Sequence, residues 1–151
     1  MKIRPAKVSD VKAMQSAIKY FADKREMLPR SLNDLYENIF EFFVAETPDG
    51  KFAGCAAIHV SWEDLAEVKG LAVAPDCQGK GVGKELVAAC EAKAKESGIN
   101  KIFALTFKPE FFEKVGYKKI ERDSLPHKVW GECVKCPMFP DCGEVAVSKQ
   151  I

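Results

Sequence analysis

The chain has 151 residues, a formal net charge of +1, and contents of 47% hydrophobic and 30% charged residues. This length predicts one domain with a proper hydrophobic core, and the balanced charge gives no argument for binding nucleic acid or an anionic membrane. No apolar run approaches the ~20 residues that span a bilayer, and the first residues lack the apolar core of a secretory signal. We therefore expect a cytoplasmic protein whose six cysteines are mostly free thiols.

Two helices are predicted in the first third of the chain. Ser9 or Asp10 can cap a helix that continues to about Phe21. Ser31 and Asp34 have the spacing of a capping box, which predicts that a second helix covers residues 32–41. The apolar positions expected on the inner face of this second helix are Leu32, Leu35, Tyr36 and Ile39.

Apolar runs bounded by turn residues predict the strands. In chain order they cover residues 3–6, 42–46, 51–60, 65–73, 101–106 and 117–122, and a strand-like run follows at 144–148. Pro48 and Gly50 place a hairpin turn between the second and third strands. Pro109 begins a short helix to about Val115, and the tail over 124–151 is expected to be an irregular extension. Together these elements predict an α/β fold with a mixed central sheet flanked by helices on both faces.

A glycine-rich turn joins the strand over 65–73 to the central helix. Ala74 and Pro75 end the strand, and glycines follow at alternate positions between Gln78 and Gly83. From Val82 the pattern is helical, with an apolar stripe of Val82, Leu86, Val87, Cys90 and Ala94. The opposite side is expected to face water, and on it Glu91 and Lys95 are spaced to form an i, i+4 pair.

The order strand, glycine-rich turn, helix suits the binding of phosphate. Glycines allow close approach of the backbone to a ligand, and the first helical N–H groups lack intrahelical partners at the positive end of the helix dipole. The spacing is neither that of the dinucleotide fingerprint nor that of the P-loop. Without further context, a tight connection that binds nothing is an equal alternative.

A second segment supplies that context. Gln78-x-x-Gly81-x-Gly83 follows the sequence LAVAP, and the segment 111–117, FFEKVGY, lies downstream. Together these motifs resemble the GCN5-related N-acetyltransferase (GNAT) family, over roughly residues 3–121. The resemblance implies the GNAT fold, a single acetyltransferase domain over 1–151, and acetyl-CoA as cosubstrate. The cofactor-binding residues that it implies are Leu71, Ala72, Val73, Gln78, Gly79, Lys80, Gly81, Val82, Gly83, Lys84 and Phe112.

Glu67 is the candidate base. Transfer of an acetyl group to an amine requires that the ammonium lose a proton, and a partly desolvated carboxylate on a central strand would have a raised pKa suited to that task. The alternative is a solvated pair of Glu67 with Lys69 near a strand end. Strand alternation predicts one face made of Glu67, Lys69, Leu71 and Val73.

Within the family the chain looks most similar to the acetyltransferase domain of N-acetylglutamate synthases. The likeness lies in Leu28-Pro29-Arg30-Ser31, in the segment 67–73, and in the segment 105–117. It implies that Arg30 binds the carboxylate of L-glutamate, that backbone groups near Leu28 and Gly70 contact the amino acid, and that Glu67 acts through water. An arginine fork suits a carboxylate because it can pair with both oxygens. The alternative for Arg30 is a surface residue beside a helix start.

Two departures from the family pattern affect what can be carried over. Many GNAT enzymes have a tyrosine acting as general acid at the position of Phe112, which has no proton to donate. Many glutamate-acetylating synthases also carry an amino-acid-kinase-like domain that senses arginine, and this chain has none, so regulation by arginine is not carried over.

The tail holds the remaining candidate groups. A dicarboxylic substrate should need a second cation, for which Lys128 is the first candidate and Lys135 another, although each is expected to be solvated more often than functional. Three cysteines and one histidine could together bind zinc; otherwise the cysteines could form a disulfide or stay free. A structural zinc site usually shows two close pairs of ligands, and this segment has only one such pair. We therefore predict no metal. These four residues are His127, Cys133, Cys136 and Cys142.

These patterns favour an amino-acid N-acetyltransferase of arginine biosynthesis that acetylates L-glutamate by direct attack. Direct attack is expected because no cysteine is clearly placed as a nucleophile; Cys77, just before the turn, points to packing. Two alternatives stay open: the same fold acting on another small amine or a protein amino group, and a non-catalytic acetyl-CoA-binding regulatory module. The expected partner is a small amino acid, without nucleic acid or membrane, and a homodimer is left open.

Overall fold

A computed structural model describes residues 1–125 and 144–151 of the chain. Its strands are β1 (Lys2–Pro5), β2 (Phe42–Glu46), β3 (Phe52–Trp62), β4 (Leu65–Val73), β5 (Lys101–Thr106), β6 (Lys118–Ile120) and β7 (Val145–Gln150). Its α-helices are α1 (Val11–Asp23), α2 (Leu32–Glu37), α3 (Val82–Glu96) and α4 (Pro109–Lys114). Short 3₁₀ helices cover Val8–Asp10, Ile39–Glu41, Pro75–Cys77 and Arg122–Ser124.

The seven strands form one mixed sheet with the order β1-β2-β3-β4-β5-β7-β6. Every neighbouring pair is antiparallel except β4 and β5, which are parallel. On one face α3 and α4 contribute to an apolar cluster with β2, β3 and β4, and on the other face α1 and α2 pack on the same strands. The predicted α/β fold, with helices on both faces of a mixed sheet, is confirmed.

The second helix is shorter than predicted. It ends at Glu37, because the side-chain amide of Asn38 donates to the backbone oxygen of Asp34 at 2.8 Å and a 3₁₀ turn follows. The prediction that Leu32 and Tyr36 face inward is wrong, since their exposed fractions are 36% and 40%. Leu35 and Ile39 are buried as predicted.

A β-bulge at Gly70 interrupts β4. Along the β3–β4 ladder Cys55 pairs with Ala72 and Ala57 pairs with Lys69, so two steps along β3 match three steps along β4. Gly70 has a φ of +64°, in the left-handed region that favours glycine. Such an extra residue reverses the alternation of side chains beyond it.

The bulge changes which side chains share a face with Glu67. Val68 before the bulge and Leu71 after it both pack on the α3 side, whereas Ala72 packs on the α1 side. Glu67, which alternates with Val68, therefore projects from the α1 side of the sheet. The prediction that one face holds Glu67, Lys69, Leu71 and Val73 is wrong beyond Gly70.

The parallel strands β4 and β5 separate soon after they meet. Among the described residues their ladder joins Ala66 to Ile102 and Glu67 to Phe103. Beyond this point β4 stays beside β3 up to Val73, and β5 stays beside β7. The facing edges of β4 and β5 therefore carry backbone N–H and C=O groups that this ladder leaves unpaired. We call this interruption of the β4–β5 pairing, which begins beyond Glu67, the cleft.

Glu91 of α3 binds the end of the chain rather than facing water. Its carboxylate accepts from the Tyr117 hydroxyl at 2.9 Å and from the Lys149 ammonium at 3.2 Å, and this ammonium also donates to the Val115 carbonyl oxygen at 3.0 Å. Burial, and next the neighbouring Glu91 charge, raise the pKa of Tyr117 far above its usual range. The prediction of a water-facing Glu91 is wrong, because β7 brings Lys149 across from a distant part of the sequence.

We expect that replacing Glu91 with alanine lowers the free energy of unfolding by about 2–3 kcal/mol, because the buried Tyr117 hydroxyl and the Lys149 ammonium lose their acceptor. The matched control is the same substitution at Glu96 of α3, an exposed residue, where a change within about 0.5 kcal/mol is expected. Urea unfolding of both variants makes the comparison. Equal losses in the two variants would show that the Glu91 contacts contribute nothing.

The candidate substrate and metal ligands of the tail lie outside the residues that the structure describes. Lys128, Lys135, His127 and the cysteines at 133, 136 and 142 lie in 126–143, outside the described residues, so the predictions made for them stay predictions. In the described ranges, no helix is long and apolar enough to cross a membrane. Nor do residues 1–125 and 144–151 hold a cluster of three or more potential metal ligands.

Candidate active site

The turn before α3 has the geometry of a phosphate-binding loop. Gly79 and Gly81 have φ angles of +76° and +79°, and a Cβ atom added at either would meet no described residue within 4 Å. Gly81 is the N-cap of α3, a helix of 15 residues whose first N–H groups have no partner within the helix. The backbone therefore offers a set of donors, at the positive end of a helix, to an anionic ligand.

The side chains of the turn divide into two groups. Gln78, Lys80 and Lys84 are exposed, so the two ammonium groups can add positive charge around the open backbone. Val82 and Gly83 are buried, and an added side chain at Gly83 would come within 3.1 Å of the Phe111 ring. The buried pair fixes the start of α3 against α4 while the glycine backbone stays accessible.

The cleft between β4 and β5 leads from this turn to Glu67. The segment 71–73 of β4 forms one edge of the cleft and ends just before the 3₁₀ helix that precedes the turn. The backbone groups that the β4–β5 ladder leaves unpaired here can pair with an extended amide-containing ligand, as an added strand would. The residues present thus fit the pyrophosphate and the amide-containing arm of acetyl-CoA.

Glu67 is 6% exposed and is the one buried charged residue within 1–125 and 144–151. Its neighbours across the sheet are His59 on β3 and Phe103 on β5. Phe103 belongs to a small apolar cluster with Leu65. A carboxylate buried in this way where the β4–β5 ladder ends is the candidate proton acceptor of the site.

Arg30 lies over the bulge of β4. Its guanidinium carbon is 5.1 Å from the centre of the Phe42 ring, and a side chain added at Gly70 would come within 3.2 Å of its Nη1 atom. Nη1 is buried and has no hydrogen-bond partner among the described residues. A buried donor without a partner costs about 1–3 kcal/mol, so this atom favours the arrival of an acceptor.

Asp34 orients the Arg30 guanidinium. Its carboxylate accepts from Arg30 Nε at 2.5 Å and from the Asn38 amide at 2.9 Å, and its backbone N–H donates to the Ser31 hydroxyl at 3.0 Å. The hydrogen bond from Arg30 holds the pKa of Asp34 below its usual value. Because Asp34 occupies the Nε side, the Nη1 and Nη2 fork is left to face a ligand.

The other predicted site residues have varied placements. Arg30 and Gly70 are brought together at the bulge, and Leu28 is half-buried in the segment that leads to Arg30. Phe112 is in the core, with its ring 5.1 Å from those of Phe111 and Tyr117, and its contact with the cofactor stays a prediction. Lys128 lies outside the described residues.

The structure adds two residues that the sequence analysis did not place in the site. His59 is opposite Glu67 in the ladder, and Lys69 acts on the Asp34 carboxylate through its charge. His59 is paired directly with Glu67, and Lys69 is two residues after Glu67 on the same strand. Both side chains therefore project, like that of Glu67, from the α1 side of the sheet. The sequence predicts that β3 and β4 are consecutive strands. It does not give the register of their pairing, which is what places His59 opposite Glu67.

The described cysteines are poor nucleophiles. Burial raises the pKa of Cys55 and of Cys90 to about 12, and it also raises the pKa of Cys77. The thiolate is the reactive form of cysteine, and burial disfavours this form at all three positions. The arrangement supports an amine that attacks the thioester directly.

Residues 9–117 match the acetyltransferase (GNAT) family, and the chain belongs to it. It is similar to an uncharacterised N-acetyltransferase of Chlorobaculum tepidum, with 38% identity over 149 residues, 99% of this chain and 96% of the relative. It is also similar to the amino-acid acetyltransferase of Mycobacterium tuberculosis, with 39% identity over 132 residues, 86% of this chain and 75% of that one.

Solved structures of related proteins have the same fold. A Mycobacterium tuberculosis protein in complex with CoA and NLQ superposes with a TM-score of 0.88 and 32% identity, covering 100% of this chain and 99% of that one. The N-acetylglutamate synthase of Neisseria gonorrhoeae, complexed with coenzyme A and N-acetyl-glutamate, gives a TM-score of 0.90 and 29% identity, covering 99% of this chain and 34% of the synthase. The protein is an acetyl-CoA-dependent N-acetyltransferase, with acetyl-CoA as its cosubstrate.

We expect Gly81→Ala to raise the KM for acetyl-CoA at least about tenfold, because alanine resists the left-handed conformation that aims the loop's N–H groups. Gly98→Ala is the matched control, since Gly98 has a φ of +88° in equally open space at the other end of α3. Both variants should lose about 1–2 kcal/mol of stability. Steady-state kinetics and thermal unfolding separate the effects, and an unchanged KM in Gly81→Ala would argue against binding at this turn.

Proposed function

We propose that the protein transfers the acetyl group of acetyl-CoA to the α-amino group of L-glutamate, as in arginine biosynthesis. The observation that carries this proposal is Arg30, whose buried Nη1 lies over Gly70 on the same side of the sheet as Glu67. A substrate carboxylate bound by this fork would lie close to the candidate base. The gonococcal synthase bound to N-acetyl-glutamate and the mycobacterial amino-acid acetyltransferase support the choice of substrate class.

The binding step joins three parts of the site. The pyrophosphate of acetyl-CoA lies on the turn over 78–84, and its amide-containing arm runs along the edge of β4 at 71–73. The thioester then comes to rest beside Glu67. Arg30 binds a carboxylate of the amino acid, and backbone groups at Leu28 and Gly70 complete the contacts. Holding both reactants in line supplies much of the rate, since such positioning replaces a bimolecular encounter.

The chemical step moves two protons. The substrate ammonium gives one proton to Glu67 through a water molecule, and the neutral amine attacks the thioester carbonyl. The tetrahedral intermediate collapses by breaking the carbon–sulfur bond, and its second nitrogen-bound proton goes to the departing thiolate. The products are the N-acetylated amino acid and CoA–SH, with the first proton left on Glu67. Phe112 cannot serve as a proton donor to the thiolate, and a thiolate is a fair leaving group without one.

The acceptor amine is tested with a panel. Release of CoA–SH is followed with each common amino acid, with small polyamines and with a lysine-containing peptide at saturating acetyl-CoA. Release that depends on L-glutamate and yields N-acetylglutamate by mass spectrometry is the expected result. Release with another amine in place of glutamate contradicts the substrate assignment. An acetyl-enzyme trapped after incubation with acetyl-CoA alone contradicts direct attack.

A further inference from the structure

His59 and Glu67 face each other across the β3–β4 ladder. Directly opposed residues of antiparallel strands project from the same face, with their Cβ atoms about 5 Å apart. The two side chains differ in access to water, because Glu67 is 6% exposed whereas the His59 side chain is 32% exposed. The imidazole is thus in contact with water on the face of the sheet from which the buried carboxylate projects.

Glu41 fixes the orientation of the His59 ring. Its carboxylate lies 2.8 Å from His59 Nδ1, at the end of the 3₁₀ helix Ile39–Glu41. An ionised carboxylate only accepts hydrogen bonds, so Nδ1 carries the proton and Nε2 is the acceptor nitrogen of the neutral ring. The next residue, Phe42, packs against Arg30, so one short segment supports both ends of the candidate site.

The reaction leaves a proton on Glu67 in every cycle. Overall, an ammonium and a thioester give an amide, a thiol and one H⁺, and this last proton is the one that Glu67 has accepted. A buried carboxylic acid has to release it before the next substrate can be deprotonated. Imidazole suits such a transfer because its ordinary pKa lies close to neutral pH.

We propose that His59 returns Glu67 to its ionised form. Nε2 accepts the proton from the Glu67 carboxylic acid, the imidazolium stays hydrogen-bonded to Glu41 through Nδ1–H, and Nε2–H then passes the proton to water. No other bond changes, and each group ends in its starting state. His59 acts through Glu67 and is therefore a positioning residue. This inference rests on the proposed role of Glu67 as base.

Replacing His59 with alanine tests the proposal by chemical rescue. We expect kcat to fall about 10- to 100-fold, with the KM for acetyl-CoA unchanged. Added imidazole should restore kcat in a saturable way, since it can occupy the space and carry the proton. The product is followed as the N-acetylated amino acid, because imidazole itself reacts with thioesters. The solvent deuterium isotope effect on kcat should be larger in His59→Ala than in the wild type.

Val60→Gln is the control, because Val60 is exposed, is the next residue of β3 and projects from the opposite face. Its kcat should equal that of the wild type, with or without imidazole. A wild-type kcat in His59→Ala, or a loss that imidazole leaves unchanged in the folded variant, overturns the proposal.

Two further variants keep the outcome clear. If His59→Ala does not fold, Glu41→Gln decides: a lower kcat with a larger solvent isotope effect supports the proposal, and unchanged values overturn it. Glu67→Gln tests the role of Glu67 as base separately from the role of His59. If that variant is fully active, the assigned base is wrong; if it is inactive while His59→Ala is fully active, only the role of His59 is wrong.

Discussion

Glu67→Gln is expected to lower kcat by about 10²- to 10⁴-fold, because the amide cannot accept the proton that the ammonium must lose. The two side chains have nearly the same shape, so the substitution keeps the packing beside Phe103. The KM for acetyl-CoA should stay within about twofold of the wild type, since the turn over 78–84, which we propose binds that substrate, does not include Glu67. Steady-state kinetics with acetyl-CoA and L-glutamate measure both quantities.

Glu63→Gln provides a matched control for this result. Glu63 is exposed at the turn between β3 and β4, and it undergoes the same change of charge and shape. Its kcat should equal that of the wild type. Retention of more than about one-tenth of kcat in Glu67→Gln, in a protein that still unfolds cooperatively, would remove Glu67 from the role of base.

Arg30→Met should raise the KM for L-glutamate by about 100-fold, because hydrogen bonds to a charged group contribute about 1.5–3 kcal/mol and the fork is lost. Arg30→Lys should recover little of this affinity, since an ammonium cannot pair with both carboxylate oxygens in the plane of the fork. The KM for acetyl-CoA serves as the internal reference and should not change. Initial rates over a range of glutamate concentrations make the measurement.

Arg25→Met is the corresponding control, because Arg25 is exposed in the segment after α1 and undergoes the same substitution. We expect wild-type kinetics from this variant. A KM for glutamate that is equal in Arg30→Met and Arg25→Met would show that another group binds the substrate carboxylate. Loss of kcat alone, with an unchanged KM, would instead assign Arg30 to the transition state.

Local patterns were enough to predict the elements around the cosubstrate. The strand Leu65–Val73 and the start of α3 at Val82 have the predicted bounds, because alternating glycines and a helical stripe are properties of adjacent residues. All five residues of the predicted apolar stripe of α3 are buried. The family motif lies in the same stretch, so fold and cosubstrate could be inferred together.

Contacts between distant segments account for what the sequence did not predict. The bulge at Gly70 depends on how β4 pairs with β3, and a glycine alone does not show that an extra residue is present. Glu91 has the spacing of a surface residue, but β7 brings Lys149 to it. His59 becomes a neighbour of Glu67 only through the register of a hairpin, which the turn sequence did not define.

The parting of β4 from β5 beyond Glu67 has a consequence for the stability of the protein in the cell. A ligand that completes the hydrogen bonding of a sheet binds the folded chain and not the unfolded one, so occupancy itself resists unfolding. At a free concentration 100 times its dissociation constant such a ligand adds about 2.7 kcal/mol. If acetyl-CoA completes the sheet in this way, the resistance of the enzyme to proteolysis should rise with the supply of acetyl-CoA and also of CoA, which carries the same arm.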